Sequence, residues 1–276
     1  MKQSINRPAR ITNNSLVGSM NALRDKQGKA FIAYIMAGEP SWESTRDIVL
    51  SLEDLGVTAV ELGVPFSDPI ADGPVIQKAA NRALAGGVTL ASIYDHVERI
   101  REHTDIPIVL MGYWNVFLQY GREKSIERAV IAGIDGFIIA DLPPEAEPDF
   151  FAGARESGLC TVLLASELTG EERLRRIAAS TTGFLYYVPQ MGITGLSLSI
   201  TESVKARVRK IKTLTNQPVC IGLGVKTRED VSSLYEAADG VIVGTRIVEH
   251  IEAHRDQEDI GSLTARFVKT LMPRTD

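Results

Sequence analysis

Short apolar, β-branched runs recur along the whole chain, at Phe31–Met36, Ala59–Gly63, Ile106–Met111, Gly136–Ala140, Thr161–Ala165, Gly183–Val188, Pro218–Gly222 and Gly240–Gly244. Their hydrophobicity is nearly continuous rather than alternating, the pattern of strands buried on both faces. Amphipathic stretches lie between them. Thr45–Leu55 sets Ile48, Val49, Leu52 and Leu55 at helical spacing, and Leu90–Arg101 does the same with Ile93, Val97 and Ile100. Ile126–Ala132, Val204–Leu214 and Val231–Ala238 repeat the pattern, and Gly56, Gly133 and Gly158 stand where helices should stop.

Eight strands alternating with helices fit a closed (β/α)8 barrel or an open doubly wound sheet. Each unit averages about 34 residues, the size of a βαβ repeat. No G-x-G-x-x-G follows the first run, which disfavours a dinucleotide-binding sheet. The expectation is an α/β protein, a TIM barrel forming one domain over residues 1–276. Short extra helices are added, and residues 1–28 supply an N-terminal tail and helix. Such barrels place their chemistry at the C-terminal ends of the strands.

Composition narrows the partners. The chain holds 35 acidic and 30 basic side chains, a net charge of -5, so it lacks the basic excess that nucleic acid requires. The longest apolar run, around Phe31–Ala37, is too short to span a bilayer. Cys160 and Cys220 each adjoin an apolar run and read as small buried hydrophobes, which suits a reducing, cytoplasmic setting. The first 24 residues carry Lys2, Arg7, Arg10 and Arg24 with no acid, read as a ragged tail leading into a helix.

Candidate chemistry gathers after the runs. Glu61 interrupts the second run near the barrel mouth, where a charge is costly unless it is paired or functional. It is either half of an internal salt bridge or a carboxyl with a raised pKa, fit for acid–base work. Asp68 and Asp72 follow in a loop stiffened by Pro65, Pro69 and Pro74. Gly224 and Gly244-Thr245 follow the last two runs, where backbone N–H groups can hold a phosphate. His250 and His254, four residues apart, read as a solvated helix face rather than a metal pair, and Lys205, Arg207, Arg209 and Lys210 read as a second solvated face. No Lys lies inside a run, so a Schiff base has no candidate.

The segment Glu61–Gln77, E-L-G-V-P-F-S-D-P-I-A-D-G-P-V-I-Q, closely resembles the signature of the tryptophan synthase alpha chain family. Phe31–Pro40 resembles that family's first strand and turn, and Met111-Gly112-Tyr113-Trp114-Asn115 resembles its M-x-Y-x-N segment. Ala140-Asp141-Leu142-Pro143 and Gly192-Ile193-Thr194-Gly195 match its A-D-L/V-P and G-V/I-T-G segments. The resemblance implies a barrel that cleaves indole-3-glycerol phosphate to indole and glyceraldehyde 3-phosphate, without metal or organic cofactor in this chain. It implies catalytic roles for Glu61 and Asp72, an indole pocket near Tyr34, Tyr113 and Tyr186, and phosphate contacts from Gly195, Gly224, Gly244 and Thr245. Thr194 would be linked to Asp72 when the site closes, and Asp68 would face a partner. That partner is a pyridoxal-phosphate beta chain in an alpha2beta2 complex.

The chain departs from the family at Pro189-Gln190-Met191 and at Leu196–Ile200, where the loop is less charged than usual. The departure motivates an alternative, a stand-alone lyase supplying free indole. A third reading is a non-catalytic barrel that binds a phosphorylated ligand.

Overall fold

The computed structural model describes residues 14–189, 202–222 and 224–273. Each of the eight apolar runs becomes a strand: β1 (Ala30–Met36), β2 (Ala59–Gly63), β3 (Ile108–Gly112), β4 (Gly136–Ile139), β5 (Cys160–Ser166), β6 (Leu185–Val188), β7 (Val219–Gly222) and β8 (Gly240–Val243). All neighbours pair in parallel, and β8 returns to β1, so the sheet closes into a barrel in chain order. This is the expected TIM barrel. β3 and β7 start later than the runs did because each run opens on or beside a proline, Pro107 or Pro218, which has no N–H for the ladder.

The helices are α1 (Ser15–Asp25), α2 (Trp42–Asp54), α3 (Pro74–Ala85), α4 (Leu90–Ile100), α5 (Trp114–Tyr120), α6 (Arg122–Ala132), α7 (Pro148–Glu156), α8 (Glu171–Ser180), α9 (Glu202–Lys212), α10 (Arg228–Tyr235), α11 (Thr245–Ala253) and α12 (Ile260–Leu271). Local chemistry starts and stops them. Ser41 caps α2 by accepting from the Ser44 amide at 3.0 Å, and Thr89 with Ser92 closes a capping box on α4. Gly56, Gly133 and Gly158 all take positive φ at the ends of α2, α6 and α7, as the sequence led us to expect.

Two apolar layers result. One lies between the sheet and the outer helices; the other fills the barrel with Ile32, Val109, Ile138, Val162, Phe184 and their neighbours. α1 closes the bottom of that inner layer, with Leu16 and Met20 buried against it. The Asn14 side chain anchors α1 by donating to the carbonyls of Asp135 at 2.7 Å and Gly158 at 2.9 Å. Cys160 and Cys220 are free, buried thiols in the same layer.

Two expected solvated faces are corrected. Lys205 is buried and bonds Glu236 at 2.6 Å, joining α9 to α10, while only Arg209 and Lys210 stand fully exposed. His250 and His254 are half-buried: their rings lie 4.2 Å apart, and His250 stacks flat on Phe267 at 4.4 Å. α12 packs over this face, and a local helical pattern cannot report a neighbour that arrives later in the chain.

Candidate active site

Glu61 is the third residue of β2, opposite Tyr34 on β1 and Val109 on β3. Strand alternation turns its side chain into the barrel, where it has no solvent exposure. Neither carboxyl oxygen has a hydrogen-bond partner among the described residues. The salt bridge weighed from the sequence is therefore absent there. Burial without a compensating cation pushes the Glu61 pKa up to about 8, so at neutral pH it is mostly a neutral acid.

Asp72 comes from the loop between β2 and α3. Its amide bonds the Pro69 carbonyl at 3.1 Å, and the Gln77 amide side chain donates to its carbonyl at 2.8 Å. The Tyr113 hydroxyl donates to Asp72 Oδ2 at 3.0 Å and accepts from the Ala71 amide at 3.0 Å. Burial raises the Asp72 pKa, and the Tyr113 hydrogen bond draws it back down. Phe66 stacks on Tyr113, with ring centroids 5.3 Å apart, and holds the phenol in place.

Between these groups opens a cavity of about 260 Å³ at the C-terminal ends of the strands. Tyr34, Asp72, Tyr186, Gly224, Gly244 and Thr245 line it. Burial raises the pKa of both phenols, and the nearby carboxyls Asp72 and Glu61 raise them further. Glu61 is the ladder partner of the cavity-lining Tyr34, which sets that carboxyl in the barrel next to the cavity. The rings lie directly over glycines: a methyl group on Gly63 would collide with Tyr34, and one on Gly222 with Tyr186. α11 starts at Thr245 on the cavity wall, and its first-turn N–H groups lack intrahelical partners, so they suit an anion.

A second cavity, of about 370 Å³, lies at the opposite end of the barrel and is bounded by α1. Three of its charged groups are already engaged: Lys212 bonds Asp239 at 2.5 Å and Lys29 bonds the Ala238 carbonyl at 2.7 Å. No carboxyl without a partner faces it, so the chemistry belongs at the other mouth.

A buried acid, a second carboxylate and a backbone anion site around one apolar cavity accord with the comparisons. The family model described as tryptophan synthase alpha chain matches residues 20–271. The chain belongs to this family. The alpha chain of Petrotoga mobilis is 42% identical over 249 residues, covering 89% of this chain and 96% of the relative. That of Geotalea daltonii is 42% identical over 236 residues, 86% of this chain and 89% of the relative. The crystal structure of the alpha subunit from Legionella pneumophila str. Paris superposes with a TM-score of 0.85 at 35% identity, covering 94% of this chain and 97% of that one. An alpha chain from the Pyrococcus furiosus a2b2 complex gives 0.81 at 37% identity, covering 88% and 97%.

The family residues carried over from sequence are distributed as follows. Tyr34, Asp72, Tyr186, Gly224, Gly244 and Thr245 meet at one cavity, with Glu61 beside it. Tyr113 does not line the cavity but holds Asp72 from behind. Asp68 is exposed on the same loop and accepts from the Ser67 hydroxyl at 2.5 Å. Thr194 and Gly195, with most of the divergent loop, lie outside the described residues. The sequence reading missed the apolar wall of Met111, Leu164, Val188 and Ile242. Their signal was positional: each lies on the inward parity near a strand's C-terminal end, which becomes readable once the register is known.

Proposed function

We propose that Glu61 and Asp72 divide the retro-aldol cleavage of indole-3-glycerol phosphate, the lyase reaction of this family, between them. The observation that carries the proposal is the fully buried Glu61 carboxyl, without a hydrogen-bond partner among the described residues and paired across the ladder with Tyr34, which shares a cavity wall with Asp72. Glu61 enters protonated and gives its proton to indole C3, which makes the ring an electron sink. Asp72, ionised, accepts a hydrogen bond from the indole N–H and stabilises the positive charge that develops there. The carbon–carbon bond then breaks, its electrons flow into the ring, and the glycerol hydroxyl proton returns to Glu61. Indole and glyceraldehyde 3-phosphate leave, and no net proton is consumed. Two carboxyls in different surroundings can hold opposite protonation states at one pH, as this division requires.

Gly224, Gly244 and Thr245 hold the phosphate through backbone N–H groups, together with Gly195, and Thr194 links to Asp72 when the site closes. Tyr34 and Tyr186 pack the indole, with Tyr113 behind Asp72. No metal or cofactor of this chain's own takes part. The whole chain works as one barrel domain, supported by a single closed sheet that draws strands from residue 30 to residue 243. It acts in the cytoplasm, where the free thiols Cys160 and Cys220 stay reduced.

The partner is a pyridoxal-phosphate beta chain in an alpha2beta2 assembly, and exposed Asp68 contacts it. The assay is indole-3-glycerol phosphate cleavage by the chain alone and with a beta chain. Stimulation of about tenfold or more through loop ordering supports the complex. Ample turnover that a beta chain leaves unchanged points to the stand-alone lyase, and no turnover in either arm overturns the catalytic reading.

A further inference from the structure

α5 is a seven-residue helix whose preceding residue, Tyr113, gives it no side-chain cap. The cap comes from elsewhere. Asp141 Oδ1 accepts from the Trp114 amide at 2.7 Å, across 27 positions of sequence. Asp141 follows directly on Ala140, whose amide bonds the Gly112 carbonyl at 2.9 Å and so continues the β3–β4 pairing. The carboxylate is thus carried on the rigid end of the sheet, one residue beyond its last rung.

Tyr113 sits between that fixed amide and Gly112, the final residue of β3. Its backbone is extended, and its ring reaches back to the loop between β2 and α3, where the hydroxyl brackets Ala71 and Asp72. Trp114, the residue bonded by Asp141, packs its ring edge against Phe150 of α7 at 4.9 Å. One chain of contacts therefore runs from β4 through Asp141, the Trp114 amide and the Tyr113 phenol to Asp72.

We propose that Asp141 is a positioning residue for the lyase reaction: by capping α5 it sets the Tyr113 phenol, and with it the place and ionisation of the Asp72 carboxylate. The proposal rests on the reading of Asp72 given above. Asp141 itself is exposed, so the fold loses little without it. The reaction loses more, because a shift of about 1 Å at a catalytic group can cost about a hundredfold in rate.

The test is a cycle of Asp141→Ala, Tyr113→Phe and the double variant, with Asp141→Asn and Asp72→Asn alongside. Glyceraldehyde 3-phosphate release is followed for the full chain with saturating beta chain in every arm. We expect Asp141→Ala to lower kcat about tenfold with KM within about twofold, the signature of a group mispositioned in the transition state. Its acid limb moves to higher pH, as in Tyr113→Phe, because the bond that lowers the Asp72 pKa is loosened. Asp141→Asn keeps an acceptor oxygen and at least half of kcat. On a Tyr113→Phe background, Asp141→Ala adds less than about twofold, since both changes break the same chain.

Equal factors in the two backgrounds, an unmoved acid limb, or Asp141→Asn as impaired as Asp141→Ala would overturn the proposal. If Asp72→Asn keeps wild-type turnover, the reading of Asp72 falls and the proposal falls with it. If Asp72→Asn is impaired while Asp141→Ala is not, the proposal alone fails. Should Asp141→Ala not fold, Asp141→Ser carries the same expectations, its hydroxyl being too short to reach the amide.

Discussion

Glu61 stands directly opposite Tyr34 in the parallel ladder between β1 and β2, and both side chains point into the barrel. The pairing puts a carboxyl against a phenol, and the carboxyl also acts on the phenol of Tyr186, whose pKa burial and then Glu61 raise. None of these groups is a cation, so among the described residues nothing there stabilises a carboxylate. The barrel thereby keeps a proton where a reaction needs an acid.

Replacing Glu61 by Gln keeps the volume and removes the proton. Turnover should fall by about 10²–10⁴-fold, the usual worth of a general acid–base group, while glycerol phosphate still binds. Steady-state kinetics and ligand titration check this. A variant with wild-type kcat would refute the assignment.

The same carboxyl makes stability depend on pH. Unfolded, it titrates near 4.5; folded, near 8. Between those values the unfolded chain has released a proton that the native state keeps, so native stability falls as pH rises and levels off above about 8. Denaturant titrations of wild type and Glu61→Gln across this window should diverge, the variant gaining relative to wild type with rising pH. Parallel curves would contradict the burial argument.

Asp72 must be ionised to accept from the indole N–H, and Glu61 must be protonated. The kcat/KM profile should therefore be bell-shaped, with its alkaline limb near pH 8 set by Glu61. Asp72→Asn should lose about 10- to 100-fold in turnover and flatten the acid limb, because the amide cannot titrate. A persisting acid limb in that variant would assign it to another group.

Leu16 of α1 is fully buried under the barrel. Leu16→Ala should cost about 2–5 kcal/mol of stability by leaving a cavity there. Turnover per folded molecule should hold, since the catalytic mouth is at the other end. Thermal unfolding and active-site titration separate the two effects.

Much of this protein was legible in its residues. The eight strands were marked because a strand buried on both faces must be apolar throughout, and that pattern survives without tertiary information. Glu61 was legible for the opposite reason, as a charge in an apolar run, whereas Asp72, one of two acids in a proline-stiffened loop, was singled out only by the family resemblance. The helix face at His250 and His254 was legible but its burial was not, and α12, which covers it, was not marked. The half-buried His250 of α11 gains meaning only when Phe267 of α12 stacks on it.

Alone, the sequence determined the alternation of strand and helix, the glycine stops and the candidate acids, because these follow from periodicity and backbone chemistry within a few residues. Only the tertiary structure decided which side of each strand faced inward. It also decided that Glu61 has no partner among the described residues, that Tyr113 serves Asp72 rather than the cavity, and that Asp141 reaches the Trp114 amide. These depend on register and barrel closure, which bring residues tens of positions apart into contact. Desolvation and hydrogen bonding, which fix the protonation of the two carboxyls, act over a few ångströms of space, whatever the distance along the chain.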